Sequence, residues 1–240
     1  MKDLIRLADL IVEAEYNFEY LNKQLSDYKI SPLVQPDLFV CVTHEDIRLE
    51  RERNTANGFP DAYLESLAFY RKFAIQAASF DCLLFHGSAL SIDGDGFIFG
   101  APSGTGKSTH ARLYREVFGD RVVMVNDDKP LIRRMNHKFY VYGTPWDGKH
   151  RLNNNISVPI KGICFLKQGI ENKIRKLSIQ EALMLAFNQI FRPDDVEAMR
   201  TVFALSQSLV TQIPMYELSC TISRDAAILS YETMKGTELL

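Results

Sequence analysis

The chain has 240 residues, enough to bury one sizeable core and to carry an appended lobe. Hydrophobic residues make up 46% of it and charged residues 24%, a balance typical of globular proteins rather than disordered ones. Its 28 basic and 30 acidic residues leave a net charge of −2, which argues against a nucleic-acid binder. No apolar run approaches the ~20 residues of a membrane-spanning helix, which argues against a membrane protein.

The N-terminal part is mixed in character. Residues 4–13 predict one strand, partly buried on both faces, and the charges among its apolar residues argue against a secretory signal. Residues 38–43 predict a second strand, and Pro32 and Pro36 exclude a helix just before it. Residues 44–58 are rich in charge and end in Asn-Thr-Ala-Asn-Gly, which predicts an exposed loop.

A helix is predicted over residues 61–79, because apolar side chains recur there at helical spacing and would face a core. With the strands before it, this helix completes a predicted N-terminal lobe over residues 1–80. The second predicted domain covers residues 81–240. The apolar positions of the helix are Leu64, Leu67, Ala68, Phe73 and Ala77.

A hairpin opens the second domain. Residues 82–92 predict a strand, Asp93-Gly94-Asp95 is a turn signal, and the chain returns through residues 96–100. If Ile92 pairs with residue 95 or 96, antiparallel register carries His86 opposite residue 101 or 102. We therefore expect His86 beside the turn that follows the hairpin, where it is either a structural, half-buried histidine or a catalytic one.

That turn, residues 101–108, is rich in glycine and ends in Gly-Lys-Ser, which predicts a phosphate-binding loop of the Walker A type. Its glycines let backbone N–H groups point at phosphate oxygens, and the helix that follows adds its positive end. Lys107 is expected to reach the β- and γ-phosphates of a nucleotide and Ser108 to bind Mg²⁺. The predicted nucleotide-binding residues are Pro102, Ser103, Gly104, Thr105, Gly106, Lys107, Ser108 and Thr109.

A helix over residues 107–118 and an apolar strand from residue 121 follow the loop, and the strand ends in Asp127 and Asp128. One carboxylate would hold Mg²⁺ and the other would accept a proton from an attacking hydroxyl. Ser108 and Asp127 are the predicted metal ligands. The pattern leaves open, however, which of the two aspartates binds the metal and which is the base. Since neighbouring side chains of a strand point to opposite faces, either the chain turns at Asp127 or only one carboxylate faces the nucleotide.

Residues 129–134 and 138–142 predict another hairpin, and residues 143–151 a loop that faces the substrate. The loop contains Trp146 together with the cationic candidates Lys149, His150 and Arg151. Trp146 fits two interpretations equally well, a substrate contact and an anchor in the core.

The rest of the chain predicts alternating strands and helices. Ser178 and Glu181 form a capping-box pattern at the start of one helix, and Arg192-Pro193 ends it. Arg192 is expected on the surface, with contact to the nucleotide as the alternative. The predicted elements are a strand over 160–166, a helix over 179–191, a helix over 196–209, a strand over 215–220 and a helix over 225–234.

The four cysteines are widely spaced and include no Cys-x-x-Cys pair, so they suggest neither a zinc site nor a disulfide framework. Buried thiols of this kind are typical of the reducing cytoplasm, which is the predicted location. The cysteines are Cys41, Cys82, Cys164 and Cys220.

Three sequences occur in one order at short spacing: His-Gly-Ser-Ala at 86–89, Gly-Thr-Gly-Lys-Ser-Thr at 104–109 and Asn-Asp-Asp at 126–128. Over about residues 82–166 the chain resembles HPr serine kinase/phosphorylase and phosphoenolpyruvate carboxykinase. Thr109-His110 and residues 143–146 are more similar to the relatives found beside peptide-modification genes, including lasso-peptide kinases, which phosphorylate a peptide serine.

The resemblance implies an α/β fold, with a P-loop core of the HPr kinase/phosphoenolpyruvate carboxykinase type, a mixed sheet, flanking helices and an N-terminal lobe. It implies ATP and Mg²⁺ as cofactors and His86, Lys107, Asp127 and Asp128 as catalytic residues. It also allows a homo-oligomer. The Glu-x-Arg-Gly sequence of the HPr enzyme is replaced by Tyr-Val-Tyr-Gly at 140–143, which argues against HPr as the acceptor and against phosphorolysis.

The leading functional prediction is transfer of the γ-phosphoryl group of ATP to a hydroxyl, a serine of a peptide or protein. The alternatives are a nucleotide-sensing module without catalysis and a kinase acting on a small molecule. The intact aspartate pair argues against sensing alone, because sensing requires no base.

Overall fold

The structure is a computed structural model that describes residues 1–31, 34–54, 58–148 and 151–236. The chain divides into two compact units, Met1–Phe80 and Asp81–Leu240. In the described residues, no helix is long and apolar enough to cross a membrane.

The first unit is a three-stranded sheet with helices. Strands β1 and β2 pair antiparallel, and β3 adds to β2 in parallel. Glu65, fully buried on α3, accepts hydrogen bonds from the backbone N–H groups of Asn17 and Phe18 and so fixes the chain between β2 and α1. The elements are β1 (Lys2–Leu7), β2 (Leu10–Glu15), α1 (Glu19–Gln24), β3 (Leu38–Cys41), α2 (His44–Arg53) and α3 (Asp61–Ala77).

Two sequence predictions in this unit were wrong. The single strand over 4–13 is a hairpin, because the chain reverses at Ala8 and Asp9, which both adopt positive φ. The expected loop over 44–58 contains α2, whose start is fixed by a capping box between Thr43 and Asp46.

The second unit is a mixed sheet with flanking helices, as predicted. Its elements are β4 (Cys82–Leu84), β5 (Ser88–Ile92), β6 (Asp95–Gly100), α4 (Lys107–Phe118), β7 (Val122–Asn126), β8 (Leu131–Met135), β9 (Lys138–Tyr142), β10 (Ser157–Gln168), β11 (Lys173–Lys176), α5 (Ile179–Gln189), α6 (Val196–Gln212), β12 (Met215–Cys220) and α7 (Arg224–Lys235).

The long strand β10 organises this sheet by changing partner along its length. Its first residues pair antiparallel with β9, and its later residues lie parallel between β6 and β12. Beyond β6 the order continues through β5 to β7, both antiparallel, and beyond β9 through β8 to β4. Consequently, the C-terminal ends of β6 and β10 lie side by side at one edge of the sheet, next to the start of α4.

The main core of this unit packs α4 and α7 against the sheet. Tyr114 of α4 lies fully buried against Phe99 of β6, and Tyr231 of α7 contacts Phe97. Since β6 and α4 are both anchored in this core, the turn between them is held at a fixed place.

Several elements differ in detail from the predictions. The expected strand over 82–92 is two strands, because residues 85–87 leave the sheet and Gly87 approaches the carbonyl oxygen of Phe99. Strand β7 ends at Asn126, ahead of both aspartates, and the sequence patterns did not predict α1 or β11.

Candidate functional site

The turn from β6 into α4 has a backbone that requires glycine at two positions. Gly104 and Gly106 have φ values of +80° and +115°, which L-residues rarely adopt. The helix starts immediately afterwards, and the N–H of His110 donates to the carbonyl of Gly106 at 2.8 Å. The predicted nucleotide-binding residues, 102–109, are exposed or half-buried here. The first N–H groups of α4, which have no partner within the helix, therefore lie at a surface that an anion can reach.

Lys107, the first residue of α4, lies against His86. Its Nζ donates to the carbonyl of Ala101 at 2.8 Å and lies 3.2 Å from Nε2 of His86. The backbone N–H of His86 donates to the carbonyl of Gln189 at 2.7 Å, which fixes the histidine at the end of α5. In the hairpin Ile92 pairs with Asp95, which is one of the two registers from which the sequence predicted that His86 lies beside the turn.

The charge states of this pair follow from their burial and their neighbours. Burial, and then the positive charge of Lys107, lower the pKa of His86, while Asp128 opposes the shift. Burial also lowers the pKa of Lys107, and Asp128 and Asp127 counteract that effect. At neutral pH His86 is therefore neutral, and its neighbours assign the tautomer: Nε2 accepts from Lys107, and Nδ1–H points at Asp128.

Both aspartates belong to this cluster because the chain bends directly after β7. Asn126 accepts hydrogen bonds at Oδ1 from the backbone N–H groups of Asp128 and Lys129, at 2.9 and 2.7 Å. This turn resolves the alternative left open by the sequence: the chain does turn at Asp127. Oδ1 of Asp128 lies 3.4 Å from Nδ1 of His86, and its Oδ2 lies 3.7 Å from Nζ of Lys129.

The two carboxylates differ in environment. Asp127 is 4% exposed, and its Oδ1 accepts a 2.5 Å hydrogen bond from the hydroxyl of Ser88. Its Oδ2 is buried without a hydrogen-bond partner among the described residues. A buried carboxylate oxygen of this kind normally has a partner, which makes it suited to a cation. Asp128, by contrast, is partly exposed beside His86.

Asn126 also holds the loop that the sequence predicted to face a substrate. Its Nδ2 donates to the carbonyls of Thr144 and Trp146, at 3.0 and 3.3 Å. Trp146 is 3% exposed, so the structure favours the anchor in the core. Gly148 passes over the aspartates, since a Cβ there would lie 3.3 Å from the carbonyl oxygen of Asp127.

Of the three cationic candidates of that loop, one lies among the described residues. Lys149 and His150 lie outside the described residues. Arg151 is exposed, and its backbone N–H donates to the carbonyl of Gly148. Arg192 is exposed as well and lies over the ring of Phe187, with 6.0 Å to the ring centroid, in line with its expected surface position.

Sequence reasoning missed Ser88 and Asn126, which hold the aspartates from two different strands. The signal for Asn126 was its position directly before the pair. The signal for Ser88 was weaker, a hydroxyl two residues after His86.

Two cavities flank the turn between β6 and α4. The larger, of about 630 Å³, lies beside residues 101–105 and is bounded by β10 and the end of α5. The smaller, of about 500 Å³, lies beside Thr105, Gly106 and Thr109 and is bounded by the ends of β10 and β12. The turn thus has open space on two sides.

No group of three or more His, Cys, Asp or Glu side chains that could hold a metal occurs within the part of the chain that the structure describes. Mg²⁺ does not require such a group, because it is commonly bound by one or two carboxylates together with phosphate oxygens and waters. The buried Oδ2 of Asp127, which has no partner among the described residues, is the kind of ligand that such a site uses, and Ser108 offers a hydroxyl at the start of α4.

Comparisons with known proteins show the family of the chain and a distant likeness to solved structures. The model of the family described as SynChlorMet cassette protein ScmC matches residues 66–225. Among solved structures, the chain is similar to the Hpr(Ser) kinase/phosphatase from Coxiella burnetii, with 12% identity, a TM-score of 0.38, and coverage of 63% of this chain and 87% of that chain. No curated protein matches the chain.

Proposed function

We propose that this chain, which belongs to the SynChlorMet cassette protein ScmC family, is an ATP- and Mg²⁺-dependent kinase. The group that it phosphorylates is the hydroxyl of a serine in a peptide or protein. The family description names no reaction, so the proposal depends on the site itself. The observation that carries it is the contact between Lys107 and His86 at the start of α4, with Asp128 on the other side of the histidine. The P-loop type of the core and the roles below belong to this proposal.

Phosphate binding is assigned to the turn and to the first residues of α4. Backbone N–H groups at a helix start, together with a lysine, match the negative charge of a triphosphate. The Nζ of Lys107 now donates to the carbonyl of Ala101, a bond that it would exchange for β- and γ-phosphate oxygens. Lys107 is thus the group that neutralises charge on the phosphoryl group as it moves.

The roles proposed for the two aspartates are based on their different environments. Asp127 is fixed by Ser88 and keeps one buried oxygen without a partner, so Asp127 and Ser108 would hold Mg²⁺. When bound, this cation would neutralise negative charge on the phosphates. Asp128 is the partly exposed carboxylate, which an incoming hydroxyl can reach, and we assign it as the base.

In the transfer step, the acceptor oxygen forms a bond to the γ-phosphorus, and the bond from that phosphorus to the β,γ-bridging oxygen breaks. ADP leaves with the electron pair of the broken bond. The hydroxyl proton passes to the carboxylate of Asp128. His86, neutral and placed between Lys107 and Asp128, orients both groups.

A peptide acceptor is favoured over a metabolite by the position of the larger cavity. This cavity has a volume of about 630 Å³ and is lined by the turn and by residues such as Lys167 and Asn188. Both of these side chains are exposed, which places the cavity at the surface. Trp146 is buried in the core and does not line this cavity.

The test is transfer of phosphate from γ-labelled ATP to a library of serine-containing peptides, with the product serine located by mass spectrometry. Lys107→Ala and Asp128→Asn are each expected to lose on the order of 10³-fold in rate, because each removes several kcal/mol of transition-state stabilisation. Lys173→Ala and Asp225→Asn, exposed positions of the same unit, are the matched controls and should retain full activity.

Equal labelling by wild type, Lys107→Ala and Asp128→Asn would contradict the mechanism. Tight nucleotide binding without transfer to any peptide would instead favour a nucleotide-sensing module. Transfer to free serine or to a sugar, but to no peptide, would favour a small-molecule kinase.

A further inference from the structure

The smaller cavity beside the turn has a composition unlike that of the phosphate loop. Apolar side chains form much of its wall: Leu113 of α4, Leu166 of β10, and Cys220 and Ile222 at the end of β12. Ile222 is 78% exposed, a large apolar side chain left at the rim. The amide of Gln168 and the hydroxyl of Thr109 add polar groups to this wall. Such a mixture is typical of a site for a flat ring with polar edges.

The position of this cavity relative to the reacting groups limits what it can hold. Lys107, His86 and Asp128 contact one another at one side of the turn. The smaller cavity borders Gly106 and Thr109, on the first turn of α4. A nucleotide whose γ-phosphate lies at Lys107 would reach this cavity by extending its nucleoside along the outside of α4, toward Leu113.

We infer that the cavity between α4 and the ends of β10 and β12 is the nucleoside site, in which the base lies against Leu113, Cys220 and Ile222. Its volume of about 500 Å³ is within the usual range for a pocket that encloses a small organic ligand. The inference rests on the proposed function in one respect, that the turn binds the phosphates of a nucleotide. By exclusion, the larger cavity is then the site for the substrate that accepts the phosphoryl group.

Cys220 gives a direct readout of occupancy. Its thiol is partly exposed at the cavity, whereas Cys82 and Cys164 are buried. Cys41, also partly exposed, belongs to the first unit and serves as an internal reference in the same sample. Burial raises the pKa of both Cys41 and Cys220, so alkylation is best followed near pH 8.5.

The experiment compares ADP with inorganic tripolyphosphate, both with Mg²⁺. Alkylation by N-ethylmaleimide is followed at each cysteine by peptide mass spectrometry, and the affinity of each ligand is measured by calorimetry. Saturating ADP should slow alkylation of Cys220 on the order of tenfold or more, since only nucleotide-free molecules react. Tripolyphosphate should bind but leave Cys220 reactive, and the rate at Cys41 should not change with either ligand.

A pair of variants tests the wall itself. Ile222→Ala should raise the Kd of ADP about three- to tenfold, because apolar surface against the base is lost, and should leave the Kd of tripolyphosphate unchanged. Ile170→Ala, at a 99% exposed isoleucine that does not line the cavity, is the matched control and should alter neither.

The outcomes separate the two proposals. If neither ligand binds, the proposed nucleotide function fails, and the nucleoside site fails with it. If both bind but ADP leaves Cys220 as reactive as before, the nucleoside site is overturned while the phosphate loop stands. Equal slowing of Cys220 by tripolyphosphate and ADP would also overturn it, because the phosphates alone would then close the cavity.

Discussion

The hydroxyl of Ser88 donates a 2.5 Å hydrogen bond to Oδ1 of Asp127, and both side chains are buried. Ser88 lies on β5, and Asp127 directly follows β7, the strand that pairs with β5; the two residues are 39 positions apart in the sequence. Ser88 is the first residue of β5, directly after the segment that carries His86. The bond therefore joins the histidine and aspartate parts of the candidate site.

Ser88→Ala should lower the free energy of unfolding by about 1–3 kcal/mol, because Oδ1 of Asp127 would remain buried without its donor. In the proposed kinase the substitution should also raise the Mg²⁺ concentration needed for half-maximal ATP turnover. The reason is that the carboxylate of Asp127 would no longer be held in one orientation. Urea denaturation and a Mg²⁺ titration of ATP turnover measure the two effects.

Ser91→Ala is the matched control, at a buried serine of the same strand. It should leave the Mg²⁺ titration unchanged. The same Mg²⁺ response in Ser88→Ala and wild type would show that the hydrogen bond supports only the fold.

Asn126 joins the aspartate turn to the loop that contains Trp146. Its Oδ1 accepts from the backbone N–H of Asp128, and its Nδ2 donates to the carbonyls of Thr144 and Trp146. Asn126→Asp keeps the acceptor but turns the donor into an oxygen facing two carbonyls. We expect a loss of about 3 kcal/mol in stability and a fall in kcat of roughly ten- to a hundredfold, with the Kd of ADP unchanged.

The comparison for this prediction is Asn153→Ala, which removes one hydrogen bond to Asp147 near the same loop. It should cost about 1 kcal/mol in stability and leave kcat within a factor of about two. If Asn126→Asp weakens ADP binding as much as it lowers kcat, the residue does not act by positioning Asp128. Steady-state kinetics and calorimetry at one temperature suffice for both variants.

His110 gives the fold a specific dependence on pH. Burial against Phe99 lowers its pKa to about 4, and Nε2 lies 3.2 Å from the hydroxyl of Ser230. A lowered histidine pKa means that the unfolded chain binds the proton more readily. The stability that the neutral ring contributes is thus complete above pH 6.5 and is lost as the pH falls toward 4, by about 3 kcal/mol in total.

His110→Phe should remove this part of the pH dependence. The unfolding free energies of both proteins are measured in urea at several pH values between 7.5 and 4. The wild-type value should fall relative to that of the variant as the pH falls, by up to about 3 kcal/mol. His44→Gln, at an exposed histidine, should parallel wild type throughout. A constant difference between wild type and His110→Phe over this range would contradict the assignment.

The parts of the site that sequence could predict are those set by local geometry. The turn at Asp93 and Gly94 fixed the hairpin register, and the register placed His86 beside the loop before Lys107. The glycines of the loop and the helix after it are also local features. Roles for His86, Lys107, Asp127 and Asp128 remain predictions, for which these positions provide the support.

The parts that could not be predicted depend on partners distant in sequence. A serine in a strand or an asparagine before an aspartate has many uses, and the choice of Ser88 and Asn126 follows only once β5 and β7 pair. Helix α2 was missed for another reason: it buries only Ile47 and Glu50, so it lacks the apolar periodicity that predicts helices. The capping pair at its start was the one signal available.

Gly143 lies where two backbone segments approach most closely. A Cβ at this position would lie 1.8 Å from the carbonyl oxygen of Asn154 and 2.7 Å from that of Val125. Gly143→Ala must therefore push the loop that contains Trp146 away from the backbone at Asn154 and from β7, the strand that ends just before the aspartates. We expect a loss of about 3 kcal/mol in stability.

Gly162→Ala is the matched control for this position, on β10 of the same sheet. Its Cβ would meet the flexible end of Met234 at 3.2 Å, which can move aside, so the expected cost is about 1 kcal/mol or less. Thermal and urea denaturation of both variants, together with the rate of peptide phosphorylation, provide the test. Because the displaced backbone carries Asp128, Gly143→Ala should lower the rate even at temperatures where it is fully folded. Unchanged stability in that variant would show that the loop and strand separate at little cost, and that the position of Asp128 does not depend on their contact.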